Sequence, residues 1–535
     1  MIDAKSIEAL LQRYDAAKTR KQQSDHSRAE AGKYAWPTSQ DMYSPPGQSE
    51  GSEHTLNIYD FTAIDAGFRL AANIFSYLMP VGSKWFEFIA SLYEDNQDSN
   101  VKMWLSKATS VTHSEIWRSN FVREMFAAIR SMVVFGTGII SIVKDKDTKE
   151  LVYRAHHIGD IAFQENSRNI IDTVFRSISY TARHAIQEFG EDKLPKTILD
   201  SAKNPAEANK KFEFVHCVCP NADFNSKKIT SKKFKSVFIY MADKVNVKEE
   251  QFDSNPYFVM RFTVAPGALW GSGPIIELLP EIRMLNQMKF DFNEASELAN
   301  HPTMIAEDDG VIGQPSTGPR DIVYIRAGSQ MPVPWNVGGN LPLTREVIED
   351  QRQVIKDGCF LNIFQTLEGI KNISSATESQ IRKQDGLVIV AAVVGATQKD
   401  VLDPIIIRSL SLIDPDRLPP APRKFNLDIV YQGRLAMAMS ALQADAIELH
   451  MSKWGPYAEI GGLANIKIDQ ASRMSGLASS VPAEIFMTED EVAEQNAIAE
   501  QERQETLAAE NAKNASTALK NAGAPIDETS LAAQL

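Results

Sequence analysis

The sequence predicts an α+β fold, on three observations. Apolar residues recur every three to four positions through most of the first 150 residues and again beyond residue 270, the period of helices with one buried face. Between about 139 and 265 the period shortens toward two, in short runs parted by turn residues, as antiparallel strands require. A Gly- and Pro-dense stretch at 300–342 then separates two further helical runs. The 535 residues suffice for about three or four compact units. A content of 43% hydrophobic and 23% charged residues is that of a folded protein.

In chain order, "DFTAIDAGFRLAANIFSYLMP" (60–80) predicts a helix with Phe61, Ile64, Phe68, Ala71, Ala72 and Phe75 on one face, ended by Pro80. "VGSKWFEF" follows as a turn and a short strand. Residues 103–138 predict a second long helix closed by Gly136 and Gly138. "GIISIVKD", "LVYRAHHIG", "TVFRSISYT", "FEFVHCVC", "SVFIYMA" and "YFVMRFTV" are the strand candidates, with "ARHAIQEFG" a short helix among them. "GSGPIIELLPEIRMLNQM" (271–288) opens a helix that runs to about 299, with Ile282, Leu285, Met288, Phe292, Ala295 and Leu298 along one face and Pro280 as a kink or a second start. "TMIAED" and "DIVYIRAG" are strand candidates in the 300–342 stretch. Residues 343–364 return to helix, 365–375 are a polar break, and 375–413 are again mostly helical, with Ser375 and Glu378 at capping-box spacing. From about 435 the chain reads as Ala-rich helix, ending in a charged tail.

The net charge of −13 argues against non-specific coating of DNA, which needs excess positive charge. It leaves open a channel with a few local contacts, because net charge does not say where the charges lie. No run of about 18 apolar residues is present, so no membrane partner is expected. The first residues lack the apolar stretch of a secretion signal. Three cysteines make no disulfide framework and fit a reducing cytosol.

The motif search is negative for catalysis, and no cofactor is expected. Gly271-Ser272-Gly273 lacks the Lys-Ser/Thr of a P-loop, and the third position of a dinucleotide turn is Glu277. Pro274 suits the first position of a helix, where its missing N–H costs nothing, so Gly271, Gly273 and Pro274 read as a hinge. "VHCVCP" puts Cys217 and Cys219 on one strand face without the C-x₂-C pairing of common metal sites, so core packing is expected and no metal. His156-His157 reads as a strand end, His184 as a surface helical residue, and Asp308-Asp309 before Gly310 as a turn. No G-x-S-x-G elbow occurs. The run Lys227, Lys228, Lys232, Lys233, Lys235 reads first as a solvated hairpin tip, and second as a nucleic-acid contact.

The order of parts resembles the head-to-tail connector, or portal protein, of short-tailed bacteriophages (podoviruses). A Gly-Pro bend opens a helix; a Gly/Pro-rich strand unit, a returning helix, a polar loop, a very long helix and a helical C-terminus follow. "LMPVGSKWFEF" (78–88), "FGTGIISI" (135–142), "GSGPIIELLPEIRMLNQM", "NHPTMIAEDDG" (300–310), "SATESQIRKQ" (375–384), "GRLAMAMSALQADAIE" (433–448) and "IDQASRMSGLASSVP" to "MTEDEVAEQNAIAEQERQ" (468–504) match family segments collinearly. The resemblance implies a portal fold: a wing at 1–272, stem helices at 273–299 and 343–364, a small α/β clip at 300–342, and a tunnel loop at 365–374. A long helix and wing return at 375–433 and a helical crown with a tail at 434–535 complete it.

It further implies a twelve-subunit ring at one capsid vertex, a virion component assembled in the host cytoplasm, with no catalytic site. The implied partners are other copies of the chain, double-stranded DNA passing through the channel for packaging and ejection, the terminase large subunit, tail adaptor proteins, and the major capsid and scaffolding proteins. A conduit must not grip moving DNA: an acidic wall repels phosphates while a few lysines centre the duplex. The candidates for such contact are Lys289 and Lys356 on the two stem helices and Lys371 with Asn372 in the loop. The rival expectation is another structural virion or scaffolding protein without a DNA channel, against which the strand-rich segments argue. A nucleotide-driven motor lacks its P-loop.

Overall fold

The computed structural model describes residues 4–43, 57–91, 98–207, 209–224, 232–300, 341–362, 394–420, 422 and 425–432, with short pieces of 304–334 and of the last hundred residues. The chain divides into two compact units, 1–435 and 436–535. In the second unit residues 449–453 are helical. Most of the 434–535 region assigned to a crown and tail lies outside the described residues, as do Ser375, Glu378, Asp308, Asp309, Lys227 and Lys228.

The first unit combines helices with antiparallel sheets. Its largest sheet is a five-stranded meander of β4 (Ile161–Glu165), β5 (Ile171–Thr181), β6 (Lys211–Pro220), β7 (Phe234–Tyr240) and β8 (Val245–Phe252), paired in that order. Alternation along these strands sends side chains to two apolar layers. One face carries Phe175, Val215, Cys217, Cys219, Val237 and Ile239 under helix α1 (Ala4–Ala35), which contributes Ile7, Leu10, Leu11, Tyr14 and Ala17. The other carries Ile178, Phe212, Phe214, Phe238 and Tyr240 under α5 (Ala182–Phe189) and α6 (Lys196–Lys203). Strands β4 and β8 and helix α6 have no counterpart among the expected elements. β8 is an edge strand whose Lys248, Glu249 and Glu250 break the apolar alternation.

A second sheet places β2 (Thr137–Lys144) between β3 (Leu151–His156) and β9 (Tyr257–Arg261). Helix α4 (Phe121–Phe135) feeds β2 through Gly136, whose φ of 76° is the left-handed conformation that ends helices. The single helix expected over 103–138 is two helices, α3 (Ser99–Arg118) and α4. The break is chemical. Ser119 Oγ bonds back to the Ile116 carbonyl at 2.6 Å and accepts the Phe121 N–H, and the Asn120 amide exchanges two hydrogen bonds with the Tyr153 backbone.

Helix α2 (Thr62–Leu78) corrects the expected buried face. Ala63, Ala66, Gly67, Leu70, Ala71, Ile74 and Phe75 are buried, whereas Phe61 is 66% and Phe68 46% exposed. The buried face mixes small and large residues and packs on α4 and α7 (Pro274–Glu277), with Ile275 and Val134 beside Gly67. Strand β1 (Phe86–Ala90) finds its partner in β14 (Leu427–Tyr431), antiparallel from Phe86↔Tyr431 to Ala90↔Leu427. The described residues of the 300–342 stretch hold four two-residue strands in two pairs, β10 (Met304–Ile305) with β13 (Val333–Pro334) and β11 (Val311–Ile312) with β12 (Tyr324–Ile325).

Candidate functional site

The turn at 270–274 is held by close backbone packing. A Cβ on Gly271 would sit 2.3 Å from the Gly136 carbonyl oxygen, one on Gly273 2.6 Å from that of Val133, and one on Gly136 2.3 Å from that of Gly271. No side chain fits there. The Gly271 N–H donates to Thr137 Oγ1 at 3.1 Å and the Ser272 N–H to the Thr263 carbonyl at 2.8 Å. These donors are therefore occupied, which leaves them no part in a phosphate cradle. Pro274 stands at the start of the four-residue helix α7 (Pro274–Glu277), and α8 (Leu279–Asn300) begins after a break at Leu278, with Pro280 in its first turn.

Helix α8 packs against α9 (Leu341–Gly358). Gln351 of α9 donates to Glu281 of α8. Of the 22 residues of α8 only Leu279, Ile282 and Leu285 are buried, so the apolar face expected to run on through Phe292 and Leu298 is covered only in its first half. On α9, Ile348 and Ile355 turn inward. Leu343, Val347 and Val354, spaced four and seven apart and hence on one side, stay open, Val347 at 42% and Val354 at 47% exposure.

Two ion pairs pin this helix pair to the rest of the unit, one bidentate and one with both guanidinium N–H groups on a single carboxylate oxygen. Arg283 of α8 meets Glu30 of α1 at 2.5 and 2.6 Å, and Arg352 of α9 meets Asp60 before α2 at 2.7 and 3.0 Å. Asp60 also caps the Thr62 N–H at 2.8 Å. Burial alone would raise the Asp60 carboxyl, but the bonds from Thr62 and the Arg352 guanidinium outweigh it and hold it below the ordinary carboxylate value. Asn286 adds a bond from the Tyr59 N–H and one to the Asn57 carbonyl, and the Tyr59 ring lies 4.9 Å from that of Phe290. Nothing in the sequence marked these anchors: the two arginines lie 253 and 292 residues from their partners.

The helix pair carries five basic residues (Arg283, Lys289, Arg345, Arg352, Lys356) and eight acidic ones (Glu281, Asp291, Glu294, Glu297, Glu346, Glu349, Asp350, Asp357). With Arg283 and Arg352 engaged at the anchors, its remaining surface is strongly acidic. Lys289 is half-buried, its ammonium 4.9 Å from the Phe292 ring centre. Lys356 is 37% exposed and 3.9 Å from Glu349. Lys371 and Asn372 lie outside the described residues.

Among the described residues no group of three His, Cys, Asp or Glu is arranged to hold a metal ion. Cys217 and Cys219 are buried side by side under α1, 3.8 Å apart. On the opposite strand face His216 bonds Tyr257 and Ser236 at 2.7 and 2.8 Å, and burial drives it well below the ordinary histidine value. His156 ends β3 against Ser141, and His184 is exposed on α5. Of the basic run, Lys235 belongs to β7 and is paired with Glu249 at 2.8 Å.

The family described as bacteriophage head to tail connecting protein matches residues 7–486 of this chain. A protein of Bordetella phage BPP-1 named "Probable portal protein" is 24% identical over 428 residues, covering 77% of this chain and 76% of its own. One of Salmonella phage epsilon15 named "Portal protein" is 25% identical over 445 residues, 79% of each chain.

Proposed function

The chain belongs to the bacteriophage head to tail connecting protein family, and from that premise we propose that it is a portal subunit: a ring of twelve copies at one capsid vertex, forming the channel through which DNA is packaged and ejected. The observation that carries the proposal is the half-covered pair α8–α9. Two helices anchored by arginine–carboxylate pairs, yet open along an apolar stripe, are built to be completed by a neighbour. In a closed ring the acidic remainder of the pair supplies a wall that repels phosphates, and Lys289 and Lys356 are the cations positioned to centre the duplex.

In this proposal the 273–299 and 343–364 helices are the stem, 300–342 the clip, and 365–374, with Lys371 and Asn372, the tunnel loop. Residues 1–272 and 375–433 form the wing, and 434–535 the crown and tail. Gly271, Gly273 and Pro274 are the elbow at which stem leaves wing, set by packing on Gly136. The subunit is structural, without a catalytic site or cofactor. It serves as a virion platform, assembled in the host cytoplasm, for the terminase large subunit and then tail adaptors, in contact with capsid and scaffolding proteins. Mass photometry of the purified protein tests the ring: masses at twelvefold the 59.4 kDa chain are expected, and a monodisperse monomer at micromolar concentration overturns the assignment.

A further inference from the structure

Residues 394–397 are helical and lead into a π-turn at Gln398–Leu402, directly before helix α10 (Asp403–Leu412). Its cause is Pro404. A proline four residues after Asp400 has no N–H for the Asp400 carbonyl, and its ring would strike that carbonyl in a regular helix. A chain can accommodate this in two ways, by widening one turn or by kinking. Here the turn is widened: the Asp403 N–H bonds the Gln398 carbonyl five residues back.

Tyr431, the last residue of β14, reaches into this turn. Its hydroxyl donates to Asp403 Oδ1 and lies 3.4 Å from the Gln398 carbonyl oxygen, the two residues that close the π hydrogen bond. Lys399 flanks the same carboxylate at 3.4 Å. The Tyr431 ring lies over Trp85 at 6.3 Å and 17°, Trp85 over Phe121 at 6.2 Å and 5°, and Phe121 meets Tyr153 edge-on at 5.0 Å. At the far end of that row the Tyr153 hydroxyl bonds Ser409 Oγ at 2.8 Å; Ser409 gives its own proton to the Ile405 carbonyl, so Tyr153 is the donor. Arg408, between the two grips, donates to Ser254 at 2.7 and 2.8 Å. A row of four aromatic rings thus holds α10 by a hydroxyl at each end, and α10 is pinned at Ser409 and Arg408 independently of Tyr431.

We propose that residues 398–402 form a register switch: Tyr431 latches the widened turn, and withdrawal of β14 releases it to the kinked alternative, turning the helical residues 394–397 while α10 stays fixed. The switch couples the β1–β14 ribbon to residues 394–397, and it does not depend on ring formation.

Hydrogen exchange measured by mass spectrometry on the full chain tests it. In Tyr431→Phe, amides at 398–403 are expected to exchange about tenfold faster, the loss of one hydrogen bond, with 405–412 unchanged. In Tyr431→Phe with Pro404→Ala, a regular helix needs no latch, so exchange at 398–403 returns to the wild-type level and the new amide at 404 is protected. Unchanged exchange at 398–403 in the single variant, equal loosening of 405–412, or no rescue in the double variant overturns the proposal. Should Tyr431→Phe not fold, Pro404→Ala alone decides: a protected amide at 404 supports the proposal, and a freely exchanging one overturns it.

Discussion

The sheet-bearing body around β2, β3 and β9 and the helix pair α8–α9 solve opposite problems. In the body Trp85, Phe86, Phe121, Phe135 and Tyr153 are all but fully buried by the chain's own elements. In the pair, apolar positions alternate between covered (Ile348, Ile355) and open (Val347, Val354) on adjacent sides of one helix. The first region reaches its full packing as a single chain; the second buries one side of each helix (Leu279, Ile282, Leu285, Ile348, Ile355), is tethered by ion pairs, and leaves another apolar side open. In the proposed ring, stability and assembly are encoded in separate residues, and mutations should separate them.

The largest effect is expected where the body and the turn interlock. Gly136→Ala forces a Cβ to 2.3 Å from a backbone oxygen at a φ of 76°, and should destabilise the fold by about 3 kcal/mol or more. Chemical denaturation gives the number, and a loss under about 1 kcal/mol would contradict the interlock. Next comes the tether. Arg352→Ala leaves Asp60, whose carboxylate is 4% exposed, without its guanidinium, at a cost of about 2 kcal/mol. The same pair sets a pH dependence. Because Asp60 is held below its ordinary value, its contribution is complete above about pH 4 and is lost as pH falls through the folded value. Arg352→Ala should therefore flatten the acid limb of the stability curve, and an unchanged limb would show that Asp60 is not what titrates there.

Smaller effects on stability sharpen the contrast. Val347→Asp and Val354→Asp should leave thermal stability within about 0.5 kcal/mol, since both side chains are exposed, yet abolish high-mass assemblies in mass photometry. Unaltered assembly with both aspartates present would remove that stripe from the subunit interface. Smallest of all, Lys356→Ala gives up one loose surface pair and should change stability by less than about 0.5 kcal/mol. The proposed channel role predicts fewer filled heads in a packaging assay, and normal filling would remove Lys356 from that proposal.

Period and turn chemistry made much of the body legible. The six strand candidates all carry strands, and Gly136 and Pro80 stand at helix ends as their backbone constraints require. What escaped was set by tertiary context. The inner face of α2 is set by which side α4 and α7 pack against, which no helical period contains, so Ala63, Ala66 and Gly67 are core and bulky Phe61 and Phe68 are not. β8 was hidden by its edge charges, and the break at Ser119 by one hydroxyl. At the candidate site the lysines were visible as cations on helices. Glu30 and Asp60 were not, because an ion pair closed over more than 250 residues leaves no local pattern.

The β1–β14 pairing carries a consequence in time. Phe86 and Tyr431 are partners across 345 residues, and among the described strands β1 pairs with β14 alone. At about 5–20 residues per second, a ribosome completes β14 roughly 20–70 s after β1. Through that interval Phe86 and Phe88 lack their strand partner. The ribbon therefore closes only when most of the chain has been translated, so a truncated polypeptide cannot complete this corner of the fold.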